Sequence, residues 1–139
     1  NALSIASAIL PIPLMVRDAR LEVPANRQAP IAARLDFAGE AASAQFDWRA
    51  RDGEEWTIAI ETRSGRSIVL REGGARLLVD GHEQELAPQG EYPSIYARFS
   101  ALVDERRSMV DREPLRIVAD AFVRARHVPT APFEWTDPA

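Results

Sequence analysis

Hydrophobic positions change period twice along this chain. Leu3, Ile5, Ala6, Ile9 and Leu10 fall near helical spacing and Pro11 ends the run, which predicts an opening helix of about ten residues. From Arg17 the period is two. Ala19, Leu21 and Val23 share one side, while Asp18, Arg20 and Glu22 take the other. The same alternation recurs in Ile31, Ala33, Leu35 and Phe37, in Ala44, Phe46 and Trp48, and in Trp56, Ile58, Ile60 and Thr62. Four such segments in a row predict an antiparallel sheet with one apolar and one wet face. Asp52-Gly53, Ser64-Gly65, Gly73-Gly74 and Asp80-Gly81 mark reversals, since glycine accepts the positive φ that tight hairpins need. Between them, 67–71, 76–79 and 83–86 read as further short strands.

After Pro88 the period reverts to helical. Pro93 suits a first turn, and Ile95, Phe99, Leu102 and Val103 form a predicted core-facing stripe, with Arg106 and Arg107 in the last turn. A second helix is predicted from near Asp111. Its core stripe would be Leu115, Val118, Ala119, Phe122 and Val123, with Arg124 and Arg126 closing it and Pro129 preventing continuation. Phe133, Glu134 and Trp135 read as a terminal strand or extended tail. Segregated strands and helices indicate an α+β fold: a predominantly antiparallel open sheet covered on one face by helices, as one domain over residues 1–139. The wet face, with Arg34, Asp36, Gln45, Asp47, Arg49, Glu61 and Arg63, is expected to mediate self-association through complementary charge.

Composition narrows the chemistry. The net charge of −4 makes nucleic acid a poor partner. All 17 basic residues are arginine, so a Schiff-base or phosphate-loop lysine is excluded from this chain. The absence of cysteine excludes disulfides, thiolate catalysis and cysteine metal sites, and is compatible with the cytoplasm, the expected location. The apolar run 3–16 lacks a basic leader, contains Pro11 and Pro13, and is too short to span a bilayer. No membrane role is expected. His82 reads as a turn residue and His127 as a helix-end cation, and neither has metal-ligand spacing. Trp48, Trp56 and Trp135 read as core plates, although an indole also suits the apolar face of a sugar ring. Tyr92 and Tyr96 flank a helix start, where a phenol can face a cleft.

Two blocks carry a resemblance. Asn1-Ala2-Leu3-Ser4-Ile5 with Ile9-Leu10-Pro11 resembles the first helix of the C-terminal domain in the Gfo/Idh/MocA oxidoreductases. Residues 91–96, 114–122 and 132–135, together with Phe46-Asp47-Trp48-Arg49, are similar to the family's pyranose-oxidising members, aldose 1-dehydrogenases of the galactose and arabinose type. The resemblance implies the substrate-binding and oligomerisation half of a two-domain enzyme. A Rossmann domain upstream of Asn1 would hold NAD or NADP and carry the family's catalytic lysine and aspartate. No catalytic, cofactor-binding or metal residue is then expected in this chain, which alone should be inactive. It would contribute substrate-binding residues: Asn1, whose amide matches a sugar-binding position of the family, with Trp48 or Trp56, and Tyr92. An aldose bound between the domains would become an aldonolactone, and the open sheet would join subunits in a homo-oligomer. A non-catalytic sugar or nucleotide sensor on the same fold, or an independent oligomerisation module, are the alternatives.

Overall fold

The structure, a computed structural model, describes residues 2–39, 42–49, 55–86 and 91–134. Its elements run α1 (Ala2–Ile9), β1 (Val16–Pro24), β2 (Ala32–Phe37), β3 (Ser43–Asp47), β4 (Thr57–Glu61), β5 (Ser67–Arg71), β6 (Arg76–Val79), β7 (His82–Gln84), α2 (Glu91–Asp104), α3 (Glu113–Arg124) and β8 (Ala125–Thr130). They form an α+β arrangement with two four-stranded sheets, ordered β3-β2-β1-β8 and β4-β5-β6-β7. The chain divides into two compact units, Leu3–Glu54 with Glu113–Ala139, and Glu55–Arg112.

The first unit holds the core. Ala19 and Leu21 of β1 and Ala33, Leu35 and Phe37 of β2 are buried, as the alternation requires. Val16 joins them although it lies an odd number of positions from Ala19. A bulge between Val16 and Asp18 absorbs the extra residue, so both side chains face the same way. Leu3, Ala6 and Leu10 of the opening helix segment, with Ala44 and Phe46 of β3, pack round this cluster. From α3 come Ile117 and Ala121, one turn apart, and α3 packs on β1.

Two sequence expectations fail here. The predicted α3 stripe does not face the core: Leu115, Val118, Phe122 and Val123 are all exposed. The buried pair is Ile117 with the small Ala121, a combination that lets the helix approach the strand closely. Nor does the helix continue to Arg126. The chain passes from Arg124 directly into β8, parallel to β1, so His127 is an edge-strand residue opposite Leu21 and not a helix-end cation. Pro129 fits an edge strand, where its missing N–H costs no inner ladder bond. Beyond β8, residues 131–134 form no strand. Asn26 fixes them by donating to the Phe133 carbonyl at 3.1 Å and accepting from the Phe133 N–H at 2.9 Å. Arg27 pairs with Glu134 at 3.0 Å.

The second unit is built on hairpins. Ile58 and Ile60 of β4 oppose Leu70 and Ile68 of β5, which oppose Leu77 and Val79 of β6. Asp80-Gly81 closes the β6–β7 hairpin with both residues at positive φ, as a two-residue reversal demands. The Asp80 carboxylate also accepts from the Ser67 N–H at 2.9 Å, tying the turn to β5. The last strand spans His82–Gln84, slightly earlier than the expected 83–86. Asp52-Gly53 lies outside the described residues. The expected core stripe of α2 is a further correction: Ile95, Phe99 and Val103 are exposed and Leu102 is half-buried. Arg106 and Arg107 fall past the helix end.

Candidate functional site

Pairing in the first sheet sets side chains of its wet face in cross-strand rows. Arg126 opposes Arg20, Arg20 opposes Arg34, and Arg34 opposes Gln45. Like charges directly opposite each other are destabilising, so the row needs compensation. Acidic rows supply it on both sides. Asp18 opposes Asp36 on one flank, and Glu22 and Asp47 stand either side of Ala32 on the other. Arg34 reaches Asp36 at 3.2 Å and Arg20 reaches Glu22 at 3.4 Å.

Arg49 completes the second acidic row. It donates to both Asp47 carboxylate oxygens at 2.8 and 2.6 Å and to Glu22 at 3.1 Å, while its backbone N–H adds a bond to Asp47 at 2.9 Å. The forked guanidinium, with the backbone N–H behind it, holds the Asp47 carboxyl down at about 2, and Arg49 is raised in turn. A depression of about 230 Å³ opens on this face, lined by Arg20, Glu22, Arg34, Gln45 and Arg49 among others. It is smaller than typical small-molecule pockets of about 300–1,000 Å³, and its cations are already matched by carboxylates. Such a surface is better suited to a charge-patterned contact than to enclosing a ligand.

Of the expected wet-face residues, Arg34, Asp36, Gln45, Asp47 and Arg49 belong to this sheet region, whereas Glu61 and Arg63 lie in the second unit. The expected substrate residues are likewise distributed. Asn1 lies outside the described residues, as does Trp135. Trp48 is 51% exposed and stacks on Phe46, with ring centroids 6.1 Å apart and planes inclined by 14°. Trp56 precedes β4 in the second unit. Among the described residues its indole N–H is shielded from solvent and has no hydrogen-bond partner, an arrangement that costs free energy. Tyr92, in α2, is 66% exposed and its ring lies 6.4 Å from that of Tyr96. Among the described residues, no cluster of three metal-ligating side chains exists, and no helix is long and apolar enough to cross a membrane.

Two functional-looking contacts were not legible in the sequence: the Asn26 clamp on residues 131–134, and Arg116. The Arg116 guanidinium binds Glu113 and Asp120, each at 2.7 Å, and the Leu14 carbonyl at 3.1 Å. It thereby fastens the segment before β1 to α3. An arginine flanked by acids three and four residues away reads only as helix-surface pairing.

Comparison with known proteins brings in sugar dehydrogenases. No family model matches the chain. It is similar to the galactose 1-dehydrogenase of Pseudomonas fluorescens, with 42% identity over 125 residues, 88% of this chain and 41% of that protein. The crystal structure of D-galactose-1-dehydrogenase from Rhizobium etli superposes with a TM-score of 0.85 and 44% identity, over 96% of this chain and 43% of that one. The chain thus corresponds to part of each of these proteins, and spans about two fifths of the length of the relatives it matches.

Proposed function

We infer that this chain is the substrate-binding and oligomerisation half of an NAD(P)-dependent aldose 1-dehydrogenase of the galactose type. The observation that carries the reading is the likeness to galactose 1-dehydrogenases in both sequence and structure along nearly the whole chain. In the reaction a pyranose loses a hydride from its anomeric carbon and a proton from the hydroxyl there, leaving an aldonolactone, with bound NAD or NADP as hydride acceptor. Among the described residues no cradle for the dinucleotide is seen. A dinucleotide cradle is a glycine turn between a strand and a helix N-terminus. The described glycines 39, 65, 73, 74 and 81 all lie between antiparallel strands, and none opens a helix. On this reading the cofactor is held by the part of the relatives' length that this chain does not cover.

What this chain contributes is sugar binding and assembly. The exposed Trp48 plate, backed by Phe46, suits stacking under a pyranose ring. Trp56, in the other unit, is the alternative indole for that role. Asn1 and Tyr92 are the remaining proposed contacts, on the strength of the family resemblance. The alternating acidic and basic rows of the first sheet support association with a second copy. Turned about an axis along the rows, the basic row of one subunit meets an acidic row of the other.

The test is to express the whole encoded polypeptide and follow NAD and NADP reduction with D-galactose, L-arabinose and other aldoses. Reduction with galactose is expected, and none with the 139-residue chain alone. No turnover with any aldose would remove the enzymatic reading. A sedimentation profile that stays monomeric at high concentration would remove the assembly role.

A further inference from the structure

The segment after β8 is held by side chains, where β8 itself is held by main chain. β8 pairs with β1 along its whole length, and the Ala25 N–H adds a bond to the Thr130 carbonyl at 3.1 Å. Past Thr130, residues 131–134 form no regular element. Asn26 takes over the role of a neighbouring strand there. Its amide oxygen accepts from the Phe133 N–H at 2.9 Å and its nitrogen donates to the Phe133 carbonyl at 3.1 Å. One side chain thus meets both main-chain groups of one residue, as a hydrogen-bonded strand partner does. The amide nitrogen also donates to one Glu134 carboxylate oxygen at 2.7 Å, and the Arg27 guanidinium reaches the other at 3.0 Å. Only an amide serves this set. A carboxylate at position 26 would turn an acceptor toward the Phe133 carbonyl and the Glu134 carboxylate.

β8 needs an anchor at that end. It stands at the edge of its sheet, Pro129 brings no N–H, and none of its side chains is fully buried. Its other end is firmly secured. α3 runs into β8 without a linker, Ile117 and Ala121 bury α3 in the core cluster, and Arg116 ties it to the Leu14 carbonyl. A strand fastened tightly at one end and lightly at the other opens from the light end, and such local opening costs less than global unfolding. The light end here is the Asn26–Arg27 clamp. Its bonds lie at the surface, where water competes for them: the Arg27 and Glu134 side chains are 48% and 72% exposed. We propose that residues 131–134 are a releasable strap, positioned by Asn26, that controls the opening of β8 from β1. With the strap in place, the β1 edge from Ala19 to Pro24 is covered by β8. Its release frees that edge for other main-chain pairing.

Amide hydrogen exchange on the whole encoded polypeptide, read by mass spectrometry, tests it. Asn26→Asp and Asn26→Ala are compared with the unsubstituted protein; position 26 is exposed, so neither change disturbs the core. Both variants are expected to exchange at least ten-fold faster in β8, with β2 and β3 unchanged. Asn26→Asp is expected to be at least as fast as Asn26→Ala, because it keeps the size of the side chain but sets oxygen against oxygen. Unchanged exchange in β8 in both variants overturns the strap, even where residues 131–134 themselves loosen. Acceleration spread evenly over β1, β2 and β3 also overturns it, since Asn26 would then stabilise the unit as a whole. So does an Asn26→Asp protein that behaves like the unsubstituted one while Asn26→Ala opens, because shape and not the amide would then hold the segment.

Discussion

The two units of this chain are stabilised in different ways. In the first, strands, a bulge and a helix converge on one cluster, and all of the fully buried apolar side chains among the described residues lie there. In the second, β4 alternates as regularly while β5 and β6 are short continuous apolar runs, yet Ile58, Ile60, Ile68, Leu70, Leu77 and Val79 are only half-buried. Its order comes from ladder pairing and turn chemistry: the Asp80-Gly81 reversal, the Asp80 bond to Ser67, and the Arg76 fork on Glu83 at 2.8 and 2.9 Å. Apolar strand sequence therefore does not by itself mean burial. A sheet draws most of its stability from whatever covers its apolar face.

Truncation of matched side chains should expose the contrast most strongly. Leu21→Ala and Ile117→Ala remove fully enclosed groups and are expected to cost about 2–5 kcal/mol each. Leu70→Ala and Ile68→Ala, in the second unit, should cost less than about 2 kcal/mol, because water already reaches part of each side chain. Urea unfolding of the four variants decides it. Equal losses in both units would mean that the second has a core of its own.

Next in size is Arg116. Arg116→Met keeps the aliphatic stem but removes the bonds to Glu113, Asp120 and the Leu14 carbonyl. A loss of about 1–3 kcal/mol is expected, typical of hydrogen bonds to charged groups. It should fall on the first unit, with faster amide exchange for the residues leading into β1 and unchanged exchange in β5 and β6.

These contrasts also show what was readable beforehand. Strands β1 to β6 were legible because side-chain alternation and glycine turns are local signals. The helices were legible as helices, but their faces were not. Hydrophobic periodicity finds the bulkiest stripe, and on α3 that stripe is Leu115, Val118 and Phe122. The sheet instead takes Ile117 and Ala121, since close approach favours a small residue. Periodicity alone does not tell which apolar face is buried. β8 was missed because a short edge strand containing Arg126, His127 and Pro129 carries little apolar pattern, and its parallel pairing to β1 is wholly non-local. The expected site residues were chosen through family resemblance, and the structure distributes Trp48 and Trp56 between different units.

Acid should act on the first unit through Asp47. Its carboxyl is depressed from 3.8 to about 2 by Arg49, so the contribution to stability is complete above the unfolded value and is lost as pH falls through the folded one. The side chain is 39% exposed, so screening limits this to about 1 kcal/mol or less. Titrating stability from about pH 5 down to pH 2, with Asp47→Asn as control, should show a component that the variant lacks. High salt should reduce it. An identical acid response in the two proteins would mean that the Asp47–Arg49 fork adds nothing to stability.

The smallest effect expected is a gain, and it belongs to the less buried unit. Helix α2 ends in a left-handed residue, Arg106, at φ 51°. The Arg107 N–H bonds the Leu102 carbonyl at 2.9 Å and the Arg106 N–H bonds that of Val103 at 3.0 Å, the paired pattern in which glycine usually occupies the left-handed position. Arginine carries a Cβ penalty there that glycine does not. Arg106→Gly should relieve it at the expense of added freedom in the unfolded chain, for a net gain of up to about 1 kcal/mol. Thermal unfolding that rises in Arg106→Gly but falls in Arg106→Val would tie the gain to backbone conformation, because a β-branched residue tolerates positive φ least. Equal behaviour of the two variants would mean that the helix end frays and contributes nothing to holding the second unit together.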